Sequence, residues 1–203
     1  MGFLDFLKPK KKVAGDIAYF NLTDWWSTDF SEQERQHIIN TYKPMGAPDS
    51  LTVGEYISTT MTAVGLLSGM VGWFKAKDDF DIVKKIIKKA ELLIDKDTDV
   101  LDIHFLYQAK IQTFYKQRDI SNNLEKAIKA CEQQIAISDK AKKVFIKEYN
   151  DSLPTHVGYK QLAIIREKQK DFQKAIDISK QALFQGWTGD WDKRIERCAK
   201  KIK

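Results

Sequence analysis

The sequence is a succession of segments in which apolar residues recur every three or four positions. The clearest of them runs Phe80, Val83, Ile86, Ile87 and Ala90, and this spacing places the side chains on one face of an α-helix. Only 4 of the 203 residues are proline and 10 are glycine, so few positions interrupt such helices. No run of alternating β-branched residues is long enough for a sheet. We therefore predict an all-α fold.

Capping residues divide this pattern into separate helices. The capping boxes Ser31-x-x-Glu34 and Thr52-x-x-Glu55 predict a short helix to about residue 42 and a long helix to about residue 77. Residues 13–30 show no long period and predict an irregular or single-turn lead-in. Pro154 suits the first turn of a helix, and Gly186 suits a helix stop. Further helices are expected at about 78–94, 97–117, 124–135, 140–149, 154–169, 172–185 and 190–203.

Residues 1–12 combine an apolar start with a basic end. The apolar residues are Phe3, Leu4, Phe6 and Leu7, and the lysines are Lys8, Lys10, Lys11 and Lys12. This order is the reverse of a secretory signal peptide. The apolar side chains either pack on the body or on a partner chain, which we favour, or form a foot on an anionic membrane surface. Residues 59–74 are too short and too polar to span a membrane, and predict a buried helix.

The charge of +6 arises from 34 Lys and Arg against 28 Asp and Glu. Along the predicted helices the lysines alternate with acids, which is typical of solvated faces, so nucleic acid is an unlikely partner. Cys131 and Cys198 are too few for a disulfide framework and predict a cytoplasmic protein with reduced thiols.

The sequence shows no catalytic, metal or cofactor motif. His37, His104 and His156 are isolated, and Cys131 falls on the apolar stripe of its helix. We therefore predict no enzyme, no metal and no cofactor. The glycines Gly65, Gly69 and Gly72 lie inside a helical pattern and favour close helix packing. The pair Trp187 and Trp191 brackets a turn, and either stacks on a ligand or, as we favour, pins a C-terminal capping helix.

Three segments share a large residue followed by a small or β-branched one three positions later. They are Asp79-Phe80…Val83…Ala90, Leu124…Ala127…Gln134 and Asp171-Phe172…Ala175…Ala182. The third copy, preceded by Leu162-Ala163, resembles the tetratricopeptide repeat, a helical hairpin. The resemblance implies that Ala175 and Ala182 lie where two helices cross. The copies are spaced more widely than the roughly 34 residues of the family, which predicts longer loops or an extra helix such as 140–149.

The resemblance covers roughly residues 55–186, and the whole chain also resembles tetratricopeptide-type proteins of bacteria and their prophages. The residue patterns predict a tail at 1–12 and a lead-in with a short helix at 13–50, and the resemblance implies a domain of helical hairpin repeats with a C-terminal capping helix at 51–203. By resemblance, fixed positions of each first helix line a groove. The implied groove residues are Tyr107, Gln108, Gln112 and Tyr115 in the second copy and Lys160, Ile164 and Glu167 in the third.

The function implied by such repeats is binding of a protein or peptide segment without chemistry. Two alternatives remain open at this point. One is a peripheral membrane adaptor that uses residues 1–12 as its foot, and the other is a nucleic-acid-binding helical solenoid.

Overall fold

A computed structural model describes residues 13–55, 58–149 and 153–202. These residues form eleven α-helices and one 3-10 turn at Lys77–Asp79, and they contain no β-strand. The all-α prediction is confirmed. The helices are α1 Gly15–Tyr19, α2 Thr23–Asp29, α3 Glu32–Thr41, α4 Ala63–Val71, α5 Phe80–Leu92, α6 Val100–Lys116, α7 Asn123–Ala136, α8 Ser138–Tyr149, α9 Val157–Lys168, α10 Phe172–Gln185 and α11 Trp191–Ile202.

The chain divides into two compact units, residues 1–62 and 63–203, whereas the sequence placed its boundary between residues 50 and 51. The described part of the first unit contains α1, α2 and α3 around a buried core that includes Trp26, Phe30 and Ile38. The backbone N–H of Ile17 donates to the carbonyl oxygen of Leu51 over 3.1 Å, which links α1 to the turn at residues 50–52. The lead-in, predicted as irregular or single-turn, contains the two short helices α1, of 5 residues, and α2, of 7 residues.

The first capping box forms as the sequence predicts. The Ser31 hydroxyl accepts from the backbone N–H of Glu34 over 3.2 Å, and the Glu34 carboxylate accepts from the backbone N–H of Ser31 over 2.8 Å. The pair satisfies two of the N–H groups that a helix start leaves without partners.

The second capping box does not form, and the long helix predicted from Thr52 to Lys77 is wrong. Residues 50–52 form a turn, Gly54 has a φ of +103°, and among the described residues between 52 and 76 the one α-helix is α4. The carbonyl oxygens of Thr52 and Gly54 accept from the backbone N–H groups of Ala14 and Gly15. These long-range backbone hydrogen bonds therefore form in place of the helix that the local capping pattern predicts.

In the second unit, consecutive helices pack side by side. α4 packs against α5 and α6, α6 against α7, α7 against α9, α9 against α10, and α10 against α11. The additional helix α8 lies against α6 and α7. Its bounds agree with the helix expected near residues 140–149.

One hydrophobic cluster joins α6, α8, α9, α10 and the start of α11. Trp187 and Trp191 lie inside it, each 2% exposed, beside Tyr159 and Phe145. The Trp191 indole N–H donates to the carbonyl oxygen of Trp187 over 2.6 Å. The two tryptophans are therefore core residues, and their burial excludes the stacking of an external ligand on them.

The start of α9 differs from the prediction, whereas both ends of α10 agree with it. α9 begins at Val157 after the N-cap His156, so Pro154 lies before the helix and not in its first turn. The His156 ring is buried and its Nδ1 accepts from the Tyr159 N–H over 3.3 Å, which fixes the start there. α10 begins after Asp171 and ends at Gly186 with a φ of +85°, as the capping residues predict.

Among the helices of the described residues, none is both long and apolar enough to cross a membrane. The apolar stretch predicted as a buried helix forms α4, in which Val64, Leu67 and Met70 are buried. The tail at 1–12 lies outside the described residues, so the alternatives stated for it stay predictions.

Candidate functional site

A cavity of about 590 Å³ opens between α4, α6 and the start of α5. Its size falls within the range of ligand pockets in proteins, about 300–1,000 Å³. α6 contributes one face to it, because the lining positions recur every three or four residues. The main α6 side chains on this face are Asp102, Phe105, Gln108, Gln112, Thr113 and Lys116.

α4 presents three glycines to the cavity, beside the side chains of Ser68 and Val71. Gly65, Gly69 and Gly72 line it at helical spacing, the last just past the end of the helix. Apart from its two chain neighbours and the backbone of its own helix, no atom of the described chain lies within 4 Å of a Cβ built on Gly69. The interpretation of this stripe as a site of close helix packing is therefore wrong at Gly69, where the missing side chain leaves open space.

Gln108 and Gln112 lie one helical turn apart on α6. Gln108 is half-buried and Gln112 is exposed. Within the part of the chain that the structure describes, neither side-chain amide has a hydrogen-bond partner. A primary amide carries two N–H donors and one carbonyl acceptor, so it can pair with both polar groups of a passing peptide backbone.

Three phenylalanines form the apolar part of the lining. Phe74 is buried, and Phe80 is half-buried with its ring edge against Phe114 at a centroid distance of 5.9 Å. Phe105 is 42% exposed. An apolar side chain from a ligand would gain free energy by covering this ring, at roughly 25 cal/mol per Å² of apolar surface removed from water.

Three lysines stand near the end of the cavity where α6 ends. Lys75 and Lys116 line the cavity, while Lys77 and Lys116 line an adjoining depression of about 350 Å³. The Lys116 ammonium donates to the backbone carbonyl oxygen of Lys75. Among the described residues, none of these three lysines has a carboxylate partner.

The acidic residues around the same two depressions are engaged within the chain. The Asp79 carboxylate accepts from the backbone N–H of Ala76 over 2.9 Å and is 6% exposed. Asp119 lies 3.9 Å from the guanidinium of Arg118, and Asp102 also has a partner of its own. At this end of the cavity, the charged lining groups of the described chain that have no charged partner are therefore the lysine ammonium groups.

Comparison with known proteins identifies no relative. No family model, no curated protein and no solved structure matches this chain. The function therefore has to be inferred from the geometry and chemistry of the cavity.

Of the four groove residues expected on α6, the structure brings Gln108 and Gln112 to the cavity and directs the two tyrosines elsewhere. Tyr107 is half-buried, and burial together with the nearby Glu91 of α5 raises the pKa of its phenol. The Tyr115 hydroxyl accepts from the Lys168 ammonium over 3.2 Å. Neither tyrosine lines the cavity.

The three groove residues expected on α9 do not line this cavity either. Lys160 is exposed and Ile164 is half-buried. Glu167 faces α11, where its carboxylate accepts from Arg194 Nη1 over 2.8 Å and from Arg197 Nε over 2.9 Å. The hydrogen bond from Arg197, together with the positive charges nearby, lowers the pKa of Glu167. In the structure this carboxylate joins α9 to α11.

Sequence reasoning missed Phe105, Phe80 and Lys75 as lining residues. Phe105 falls on the polar face of α6 beside Asp102 and Gln108, but a single apolar residue on a polar face is common and does not by itself indicate a contact surface. Lys75 had no signal either, since it lies in the connection between α4 and α5, whose path depends on tertiary packing.

Two histidines that are isolated in the sequence meet in the interior. His104 and His156 are 1% and 0% exposed, with ring centroids 5.1 Å apart. Burial lowers the pKa of His104 to about 4, and burial together with His104 lowers the pKa of His156 to about 3. Both rings are therefore neutral near pH 7.

The thiols of Cys131 and Cys198 are also buried. Burial raises the pKa of the Cys131 thiol to about 12, so it stays protonated near pH 7. Among the residues that the structure describes, no three His, Cys, Asp or Glu side chains are grouped so as to hold a metal ion.

Proposed function

We propose that the unit from α4 to α11 is a non-catalytic module that binds a peptide or protein segment in the cavity between α4 and α6. The observation that carries the proposal is the pair Gln108 and Gln112, whose unpartnered amides line an open cavity opposite a face of α4 that has no side chain at Gly69. A peptide backbone can approach such a face closely and pair with the amides.

The order of helix packing supports a tetratricopeptide-like arrangement as part of this proposal. The pairs α4 with α5, α6 with α7, and α9 with α10 pack as successive hairpins, and α11 covers α10 as a terminal helix would. In this assignment α4 and α6 are the first helices of two neighbouring hairpins. The resemblance implies that the first helices line the groove. α8 would be an insertion between the second and third hairpins.

Selection from a random peptide library displayed on phage tests the binding function without assuming a ligand. The wild-type protein should enrich a set of related peptides. The variant Gly69→Leu, which places a side chain in the open space of the cavity, should bind the enriched peptides much more weakly. Lys180→Leu is the matched control, because it adds the same side chain to an exposed position of α10 that does not line the cavity.

The readout for each variant includes its thermal unfolding, so that lost binding is not confused with lost folding. A selection that enriches nothing would contradict the proposed function. So would enriched peptides that bind Gly69→Leu as tightly as the wild-type protein.

A further inference from the structure

We infer that the segment bound in this cavity is acidic, with Asp or Glu side chains at Lys75, Lys77 and Lys116 and an apolar side chain on Phe105. The inference rests on the proposed function and specifies the chemistry of the partner. Its basis is charge complementarity at one end of the cavity and exposed apolar surface farther along α6.

The charge argument starts from which charged groups already have partners within the chain. Each of the three lysines lacks a carboxylate partner among the described residues, whereas Asp79, Asp102 and Asp119 are engaged within the chain. An incoming carboxylate would therefore meet cations whose attraction is not already offset by an ion pair. An incoming ammonium group would meet only repulsion from them.

The lysines also converge from two elements of the fold. Lys75 and Lys77 belong to the connection before α5, and Lys116 is the last residue of α6. The Lys116 ammonium reaches across to the Lys75 carbonyl oxygen, which holds the two chain segments together at this point. Carboxylates of a bound segment would therefore meet lysines from both elements at this end of the cavity.

The distance between the basic end and the exposed ring sets the length of the segment. Phe105 and Lys116 lie on the same helix, and a rise of 1.5 Å per residue separates them by about 16 Å along its axis. An extended peptide covers that distance in about five residues. Gln108 and Gln112 lie between the two ends, so the backbone of the segment would run past both amides.

Lysines also attract the phosphates of nucleic acids, so a nucleic acid is the main competing occupant. A peptide is favoured for two reasons. The side-chain amides between the basic end and Phe105 can hydrogen-bond to a peptide backbone. The face of α4 at Gly69 also allows that backbone to approach closely. A single-stranded oligonucleotide is included in the test below as the competing ligand.

Fluorescence anisotropy with three labelled peptides tests the inference. The first alternates Glu and Leu, and its two twins carry Gln or Lys in place of every Glu. The full chain should bind the Glu peptide about tenfold more tightly than the Gln peptide, with the Lys peptide weakest. Added salt should reduce the difference between the Glu and Gln peptides, because it screens exposed charges.

The double variant Lys75→Glu with Lys116→Glu should reverse the order of the Glu and Lys peptides. Lys180→Glu is the control for one such charge change, since Lys180 is exposed on α10 and does not line the cavity. It should leave the order unchanged. Thermal unfolding of both proteins verifies that they remain folded.

Each unfavourable outcome identifies what has failed. If the Gln peptide binds as tightly as the Glu peptide and Gly69→Leu abolishes both, the acidic specificity is wrong while the binding function stands. If the oligonucleotide binds more tightly than every peptide and the double variant abolishes that binding, the partner is a nucleic acid. If none of the peptides binds, the inference is overturned, and the library selection decides separately on the binding function.

Discussion

Gly158 and Gly69 show two different reasons for a glycine inside a helix. A Cβ on Gly158 would lie 2.8 Å from the side-chain oxygen of Gln134 and 3.0 Å from the carbonyl oxygen of Cys131, so α7 and α9 can approach each other only without it. A Cβ on Gly69 would meet no atom of the described chain within 4 Å beyond its chain neighbours and its own helix backbone. The fold therefore requires the first glycine and does not use the space at the second.

We predict that Gly69→Ala stabilises the protein by about 0.5–1 kcal/mol and weakens peptide binding. Alanine has the higher helix propensity, and its methyl group enters open space in the cavity. Chemical denaturation measures the first effect, and anisotropy with a library-selected peptide measures the second. A loss of stability would show that this face of α4 packs against another part of the chain.

Gly158→Ala should have the opposite effect and destabilise the protein by about 1–3 kcal/mol, the usual range for overpacking a close contact. The added methyl group would push against the Gln134 side chain and the α7 backbone. Denaturation of the two alanine variants side by side is the measurement. Equal stability of both variants would contradict the close approach of α7 to α9.

At the scale of single elements, the ion pairs of Glu167 determine how α11 is held. Arg194 has a side chain only 4% exposed, and its guanidinium bonds to Glu167 and lies 3.5 Å from the Asp190 carboxylate. Arg197 adds a second pair to Glu167. Breaking a buried pair by removing one partner is costly because the other charge stays buried.

We predict that Glu167→Gln lowers the free energy of unfolding by about 1.5–3 kcal/mol, the range for hydrogen bonds to charged groups. Glu125→Gln is the matched control, because Glu125 is exposed in the first turn of α7. Denaturation and peptide binding are both measured. Unchanged stability with weakened binding would instead support the groove role that the repeat resemblance implies for Glu167.

The sequence predicts a helix correctly where its capping residues do not compete with long-range backbone hydrogen bonds. Ser31-x-x-Glu34 and Thr52-x-x-Glu55 have the same pattern, yet only the first forms its cap, because the backbone at Thr52 pairs with Ala14 instead. For the candidate site, the repeat resemblance implied Gln108 and Gln112, which line the cavity. The resemblance could not predict Lys75, whose position depends on how the chain connects α4 to α5.

At the scale of the whole molecule, the buried histidines make stability depend on pH. In the unfolded chain both rings take up protons below about pH 6.5, whereas in the folded protein His104 and His156 stay neutral down to about pH 4 and 3. The unfolded state therefore binds more protons over this interval. The free energy of unfolding must fall as the pH is lowered through it.

We predict a slope approaching the two-proton value, about 2.7 kcal/mol per pH unit, between pH 6 and 5. The variants His104→Phe and His156→Asn should each reduce that slope by up to about half, since each removes one titrating ring. Asparagine is chosen at 156 because it keeps an acceptor at the N-cap of α9. Denaturation at several pH values gives the slopes, and slopes equal to that of the wild-type protein would contradict the burial of the rings.

The hydrogen bonds of Gln134 allow the separation of α9 from α6 and α7 to be measured by hydrogen exchange. Its side-chain N–H donates to the His104 carbonyl oxygen over 2.9 Å, and its side-chain oxygen accepts from the Gly158 N–H over 2.6 Å. Amides in the first turn of a helix usually exchange with deuterium quickly because they lack an acceptor within the helix. The Gly158 amide should instead exchange slowly, and its rate would record how often α9 separates from α6 and α7.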